Sequence, residues 1–600
     1  MMRGANIYDY VIIGVYFLVM ILCGFLLTRL NKDDKDYFKA SGKIPWPMAS
    51  LSIFIGAFSA YMFVAASGQV YKCGVPAFII YCSTALGYVF AALCFVKKFR
   101  RSRITSPMEY IEMRFGHVTK QVVTYLQIPV LLLGIGNLLY VLCIFISSAL
   151  GFKEHIMILG HAFSGLHAAM IFTGLVIVIY TAVGGLWAVI VTDTVQFIIV
   201  MVASVLLTIF GIIAFKGNGS FVANFQHFLA NPPVEGYFHV SNSLQPLSFT
   251  FAWMTLMTFV CAGSLPLIQR CACVPDEKAA QKCCWLAVVF FLAAPIVWLF
   301  PVFILRSQLP DMTALWPHLK NPMEASYVTI ALQLLPNGMI GLVISAILAA
   351  SISSMAACVN IVSVIFTNDI YHKVINPQAD HRRLMMVGKL ASAGVGILAV
   401  LTGMLLSGFS DAFRTTFTIA SHTGLAMALP IAFGFLFRRI PWWCGIATMI
   451  SCFITTLSIE FAVPMLNIEF LQAHLFECKI FGAVGVSLLV FWISRFFYRP
   501  DHITDGAKEL FRRIDTPVSE DSDYEVDIPN LTAYRVVAIA LIFFAVPLLA
   551  YNLFHVVEDS RHANTYAGMI FLSLSALILW LTDRRISPFK VIREGQRNSR

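Results

Sequence analysis

The stretch GLVISAILAASISSMAACVNIVSVI, residues 341–365, decides what kind of molecule this is. It is long enough to cross a bilayer and carries no charge, yet three hydroxyls, Ser351, Ser353 and Ser354, sit near its middle. About 160 residues earlier a second apolar run, 186–215 (LWAVIVTDTVQFIIVMVASVLLTIFGIIAF), encloses a carboxylate, Asp193. An Asp at membrane depth costs roughly 2.5–3.5 kcal/mol on insertion scales, so such groups mark an ion or solute path by default.

The rest of the chain agrees with that reading. Of 600 residues, 59% are hydrophobic and only 12% charged, with mean hydropathy +0.79; a soluble domain carries about 25% charged residues. Apolar runs of at least ~18 residues recur along the whole length, the pattern of a polytopic helical membrane protein. The period-two alternation of a membrane barrel is absent. The first run, 10–30, is too long for a signal-peptide core and lacks a small-residue cleavage site, so it reads as a span.

Fifteen spans are predicted, at 8–30, 46–70, 75–97, 121–149, 165–183, 186–214, 249–269, 283–306, 325–367, 387–409, 412–437, 441–459, 478–495, 532–554 and 566–582. Positive charge alternates across them. Loops 149–164 and 215–248 hold a single lysine each, Lys153 and Lys216. The opposite loops are rich: Arg29, Lys32, Lys35, Lys39 and Lys43; Lys97, Lys98, Arg100, Arg101 and Arg103; Lys373, Arg382 and Arg383; Arg438 and Arg439. The tail adds Arg584, Arg585, Lys590, Arg593, Arg597 and Arg600. The rule that positive loops stay inside puts the N-terminus outside and the C-terminus in the cytoplasm. The net charge of +10 therefore reads as an orientation signal, with no nucleic-acid partner implied. The inner loop 496–531 contains an acidic run, 520–527, read as a solvated segment, and spans fourteen and fifteen follow it at the periphery.

Spans two and seven both carry helix breakers: Gly56 and then Ser67-Gly68 in one, Gly263 and Pro266 in the other. Broken helices at matching points of two halves are the best sequence pointer to a transporter site. The pair lies an odd number of spans apart, so the two halves would be inverted relative to each other.

The segment Tyr180-Thr-Ala-Val-Gly-Gly-Leu-Trp-Ala-Val-Ile-Val-Thr-Asp193-Thr-Val-Gln196 resembles the signature of the sodium:solute symporter family, which contains the sodium–glucose and sodium–proline cotransporters. So do Thr105-Ser-Pro-Met-Glu-Tyr-Ile-Glu-Met-Arg-Phe-Gly116, Ile268-Gln-Arg270, and Ser353-Ser354 with Ile365-Phe-Thr-Asn-Asp-Ile-Tyr371. The resemblance covers roughly 8–500. It implies an all-α fold of two inverted five-helix repeats with discontinuous first helices and extra helices at both ends. The corresponding organisation is an N-terminal extra helix and loop (1–45), a first repeat (46–214), a second repeat (249–438), and C-terminal extra helices (441–600).

The same resemblance implies a sodium site made by the backbone carbonyls of Ile55 and Phe58, the carbonyl of Ala350, and the hydroxyls of Ser353 and Ser354. Positions 350, 353 and 354 share one helical face, and neutral hard oxygens suit a hard monovalent cation. The alternative for the serines is close helix packing, with hydroxyls bonded back to carbonyls four residues earlier. Asp193 has two readings: a second ion site or gating group, or a structural carboxylate bonded to hydroxyls or amides, with Thr192 and Thr194 near in sequence.

Positions matching the family's sugar pocket are Met62, Tyr81, Thr84, Met257, Val260, Phe291 and Ala420. They are mostly apolar here, a departure that argues against glucose or galactose itself. Compensating polar groups are Gln127, Asn137, Tyr140, Ser264, Ser421 and His422. No Lys or Arg lies in 121–152, or in spans five to seven before Arg270, so a cationic clamp for a carboxylate has no candidate. His422, inside span eleven, either lines the solute cavity or is a neutral ring bonded to a backbone carbonyl. Cys271, Cys273, Cys283 and Cys284 do not follow a zinc spacing and read as reduced thiols.

The sequence thus points to a sodium-coupled symporter of the plasma membrane, not an enzyme, that imports a small organic solute by alternating access. Sodium and the solute would be its ligands and the bilayer its setting, with no obligate protein partner implied. A neutral sugar or polyol is favoured. Uptake of an amino acid or monocarboxylate, and a non-transporting sensor or leak, remain the alternatives. No GxxxxGK[ST] nucleotide loop is present.

Overall fold

The computed structural model describes residues 6–28, 44–104, 107–150, 156–158, 161–181, 186–216, 219–317, 319–408, 416, 418–499, 504–518, 532–554 and 558–583. The acidic run 520–527, the basic tail from Arg584, the basic loop 29–43 and the Ala182-Val-Gly-Gly185 part of the signature lie outside these residues.

The fold is all-helical, apart from a hairpin pairing Ile156–Ile158 with His161–Phe163. Among the described residues ten helices are long and apolar enough to cross a membrane, or eleven when the bent pair Trp46–Ala57 and Met62–Cys73 is counted as one span. Four shorter apolar helices, Ile7–Met20, Gly165–Val178, Ala420–Leu436 and Tyr534–Ala550, fall on the remaining predicted spans. Span nine is the centre of the protein: its most apolar window is 89% buried, against 22% for span fifteen. A helix apolar on every side and buried belongs to a core, whereas one with a bare apolar face meets lipid.

The helices pair in a way that repeats. Spans two, three, seven and eight pack on one another, as Trp46–Ala57 and Thr84–Cys94 meet Glu277–Gln308 and Leu247–Ala262 meets Thr84–Cys94. Spans four, five, nine and ten form a second group, in which Pro107–Leu150, Gly165–Thr181, Met339–Val364 and His381–Ser407 pack together. Each group takes two consecutive helices from each half of the chain. Span six, Leu186–Lys216, bridges the groups by packing on both Trp46–Ala57 and Met339–Val364. Span one lies against spans nine and six and span fourteen against spans one and six, whereas span twelve lies against spans eleven and thirteen and span thirteen against spans seven and eleven.

The described part of the loop 496–531 contains a helix that its composition did not suggest. Asp505–Asp515 is an amphipathic helix, capped by Thr504 and ending in Arg512 and Arg513. Arg103 donates to the carbonyls of Arg513, Thr516 and Pro517, and Arg438 grips Asp515 through two bonds of 2.6 and 2.9 Å. The Arg438 hydrogen bonds hold the Asp515 carboxyl below its ordinary range. Hydrogen bonds from Arg512 and Arg513 bring Glu509 down to about 2. Buried Arg114 caps the end of span eleven through the carbonyls of Gly434 (3.0 Å) and Phe437 (2.7 Å). Cationic donors are favourable at a helix C-terminus.

Candidate functional site

Span two opens in the middle of the protein. Its first helix stops at Phe58, which adopts an extended conformation (φ −105°, ψ 126°), and the chain restarts beyond Ser59 with a π-helical turn, Met62–Ala66. The two halves are bent by 63°. The break lies at Phe58-Ser59, two residues past Gly56 and well before Ser67-Gly68, beside the Ile55 and Phe58 carbonyls that the resemblance implies for it. Gly68 serves a different purpose, since a Cβ there would lie 3.1 Å from the Glu324 amide nitrogen and the Met323 carbonyl. Span seven breaks where expected: Leu247–Ala262 ends at Gly263, and Ser264 caps the helix Leu265–Ala272 by accepting from Leu267 N at 3.4 Å.

An interrupted helix leaves carbonyls without their usual donors. Span nine supplies hydroxyls to both sides of this gap. Ser351 Oγ accepts from Ala60 N at 2.8 Å and donates to the Ile347 carbonyl at 2.9 Å. Ser354 Oγ lies 3.5 Å from the carbonyl of Ile55, 3.2 Å from Gly56, 3.4 Å from Phe58 and 3.1 Å from Ala350. The Ile55 carbonyl also accepts from Phe58 N at 3.1 Å, and Ala350 lies within an unbroken helix. Ala60 N and Met62 N, the usual donors to Gly56 and Phe58, turn instead to Ser351 Oγ and the Ser59 carbonyl, and a hydroxyl has only one proton for these carbonyls. Their convergence is the arrangement a small cation would use. No carboxylate stands in this ring, which fits a monovalent ion better than a divalent one, whose sites draw on carboxylates. Sequence reasoning missed the Gly56 carbonyl, because a main-chain oxygen leaves no mark in the residue type.

One residue away, Ser353 turns to Asp193. Asp193 is fully buried and accepts hydrogen bonds from Ser353 Oγ and Ser52 Oγ. Arg270, itself buried, places Nη2 3.8 Å from Asp193 and donates through Nε to Ser52 Oγ at 3.1 Å. The sequence neighbours are not the partners: Thr192 and Thr194 donate to the carbonyls of Val189 and Ile190 on their own helix. Consecutive residues on a helix point apart, so the partners come from spans two, seven and nine. Arg270 was legible in principle, since a lone arginine at membrane depth calls for a carboxylate. Ser353 thus ties span nine to a buried ion pair, donating its hydroxyl proton in a hydrogen bond to Asp193 while the neighbouring Ser354 faces the carbonyls.

The candidate solute residues form smaller sets. Met62 is buried in the π turn; beside it Tyr61 faces Tyr81, their phenol oxygens 3.5 Å apart. Thr84 opens the next helix. The Met257 carbonyl and Cys261 side chain press on Gly87, and the Val260 side chain lies 3.3 Å from where a Cβ on Gly424 would sit. Asn137 Nδ2 donates to Thr416 Oγ1 at 2.7 Å, and its Oδ1 is buried without a partner. Gln127 likewise has a buried, unpartnered Oε1. Phe291 stacks on Tyr88 at 4.5 Å and packs on Phe54 at 5.0 Å, so it belongs to an aromatic cluster. Ser421 and His422 share a second π-helical turn, Ala420–Gly424. Ser421 donates to the Thr418 carbonyl at 3.0 Å. His422 Nε2 lies 3.7 Å from Glu460, which pairs with Lys479 at 2.5 Å, so its ring meets the helices that follow the second half of the chain. Its Nδ1 is buried without a partner. π turns recur at functional positions in helices. Cys271, Cys273, Cys283 and Cys284 are buried free thiols.

Comparison with known proteins bears on this arrangement. A family model described as the sodium:solute symporter family matches residues 37–442. The sodium/glucose cotransporter of Vibrio parahaemolyticus is 25% identical over 447 residues, covering 70% of this chain and 79% of the relative. The sodium/myo-inositol cotransporter 2 of Rattus norvegicus is 26% identical over 433 residues, 66% of this chain and 60% of the relative. A solved structure of a Na+-coupled sialic acid symporter in a substrate-bound outward-open state superposes with a TM-score of 0.65 at 20% identity, covering 82% of this chain and 99% of that one. The shared fold is the two inverted repeats with added helices.

Proposed function

Given that the chain belongs to the sodium:solute symporter family, we propose that it imports a small neutral solute, a sugar or polyol, across the plasma membrane. It is a multi-pass membrane protein and a sodium-coupled solute symporter, not an enzyme. The sodium ion is proposed to sit among the carbonyls of Ile55, Phe58 and Ala350 and the hydroxyls of Ser353 and Ser354. The observation that carries this reading is the crowding of four carbonyl oxygens within 3.1–3.5 Å of the single hydroxyl of Ser354. Asp193 is proposed to set the affinity of that site through Ser353, or to hold a second ion.

Repeats at 46–214 and 249–438, flanked by 1–45 and 441–600, account for the pairing of helices described above. The charge pattern favours an external N-terminus and a cytoplasmic C-terminus. Sodium contributes ligand-dependent bias, because its ligands come from two helices that separate as the site opens inward. One charge across ~100 mV is worth about 2.3 kcal/mol, and a tenfold sodium gradient adds ~1.4 kcal/mol. Together these concentrate a neutral solute by roughly several hundred-fold per sodium.

The solute would lie near Met62, Tyr81, Thr84, Asn137, Met257, Val260 and Ser264, with Phe291, Ser421 and His422 at the edge of the set. The lean to a neutral, hydroxyl-bearing solute rests on the lack of a cationic clamp in the sequence around these residues and on the glucose and myo-inositol cotransporters among the relatives. The test is uptake by the purified protein in liposomes over sugars, polyols, amino acids and monocarboxylates, with sodium or choline outside. Sodium-dependent accumulation of a sugar or polyol is expected. Accumulation of an amino acid or monocarboxylate instead would overturn the substrate, and solute binding without accumulation would make the protein a sensor or leak.

A further inference from the structure

Span one lies outside both proposed repeats, yet it reaches the helix that carries the proposed ion ligands. Asp9, in the first turn of Ile7–Thr28, is fully buried. Its Oδ1 accepts from the backbone N–H groups of Gly338 (2.8 Å) and Gly341 (2.7 Å), and its Oδ2 accepts from Asn6 N (2.9 Å). Gly338 is the cap residue of the helix Met339–Val364, and Gly341 is its third position. These are among the donors that every helix leaves unpaired at its start, normally met by a Ser, Thr, Asp or Asn at the cap itself.

Here the cap residue has no side chain, and the carboxylate arrives from a helix more than three hundred residues away. The local sequence is shaped to admit it. Gly338 adopts φ +89°, which only glycine tolerates freely, and a Cβ on Gly341 would lie 2.5 Å from the Asp9 carbonyl oxygen. Asn564 of span fifteen completes the contact by donating to the Asn337 carbonyl at 3.0 Å.

The capped helix continues without interruption to Ala350, Ser353 and Ser354. At ~1.5 Å per residue, the cap and Ser354 are about 24 Å apart on one rigid rod. Two N–H bonds at the helix start resist movement along its axis, and the carbonyl ring around Ser354 tolerates only a few tenths of an ångström before hydrogen-bonding distances are lost. We propose that Asp9 is a positioning residue for the sodium site: span one fixes the axial register of span nine and thereby the height of its ion ligands. This rests on the sodium assignment above.

The test uses purified full-length protein in liposomes, comparing Asp9→Ala, Asp9→Asn and Ser354→Ala. Three quantities are read for each: half-saturating sodium, solute KM at saturating sodium, and the monodisperse yield. Asp9→Ala is expected to raise half-saturating sodium by about tenfold, which corresponds to ~1.4 kcal/mol, and to leave solute KM at saturating sodium unchanged. Asp9→Asn keeps an acceptor oxygen but loses the charge assistance, and should raise it by only about two- to threefold. A folded Asp9→Ala protein with wild-type half-saturating sodium would overturn the proposal. Should Asp9→Ala not fold, a wild-type value for Asp9→Asn would overturn it equally. If Ser354→Ala shifts sodium dependence and the Asp9 variants do not, only this inference falls; if Ser354→Ala is also silent, the sodium assignment falls with it.

Discussion

Replacing Ser354 by Ala removes one oxygen from a ring of five and nothing else of consequence. The hydroxyl lies 3.1–3.5 Å from the carbonyls of Ile55, Gly56, Phe58 and Ala350, and is nearly buried. In the ion-free protein its loss costs one neutral hydrogen bond, about 0.5–1.5 kcal/mol. In the ion-bound protein it removes a contact to a charge, worth about 1.5–3 kcal/mol. The difference is a loss of roughly 1–2 kcal/mol of sodium binding, or a rise in half-saturating sodium of about five- to thirtyfold. The assay is the initial rate of solute uptake against external sodium at fixed membrane potential. Adding Ser353→Ala should raise the value further. Ser363→Ala, two to three turns along the same helix and bonded to Val359 at 2.7 Å, is the control and should leave it unchanged. A folded Ser354→Ala protein with unaltered sodium dependence would remove this hydroxyl from the ligand set and refute the reasoning.

Arg270→Ala leaves Asp193 buried beside two hydroxyls without its cation. Breaking a buried pair costs about 3–5 kcal/mol, so a thermal-shift measurement should show a large fall in Tm, partly recovered in Arg270→Met with Asp193→Asn. His422→Ala is expected to change solute KM more than half-saturating sodium, because its π turn also carries Ser421; an unchanged KM in uptake assays would take His422 out of the solute site. The docked helix Asp505–Asp515 should be indifferent to pH between about 5 and 8. The Asp515 carboxyl is depressed by Arg438, so the docking it provides is fully present above the ordinary value of 3.8 and is lost as pH falls further, and the pairs of Glu509 with Arg512 and Arg513 within the helix are likewise present above 4.5. Arg438→Ala should raise tryptic cutting at Arg512 and Arg513 at neutral pH by about two- to fivefold, the scale of an exposed ion pair.

Different parts of the protein were legible in the sequence to different degrees, for physical reasons. The spans could be read because membrane burial demands long apolar runs. The broken helix of span seven was visible because Gly263, Ser264 and Pro266 write the interruption in residue types. Span two hides its break at Phe58-Ser59, where the backbone opens because Ser351 and Ser354 of a distant helix engage it. The ion ring is mostly main-chain oxygen, to which composition is blind; the family resemblance, not residue spacing, pointed to it. Asp193 was conspicuous as a charge, but its partners Ser52, Ser353 and Arg270 lie 141, 160 and 77 residues away, and chain proximity favoured the wrong threonines. The helix Asp505–Asp515 had its signals in plain view, with Thr504 as cap and basic residues in the last turn, but sat inside a loop read for its acidic run.

The central claim is that sodium is held between the break in span two and the serines of span nine. The most direct measurement is a high-resolution experimental structure of the solute-bound protein in sodium, paired with one in choline. The account predicts an ion in contact with the carbonyls of Ile55, Phe58 and Ala350 and the hydroxyls of Ser353 and Ser354 in sodium, and none there in choline. An ion found elsewhere, with that ring closed on itself in both, would contradict it.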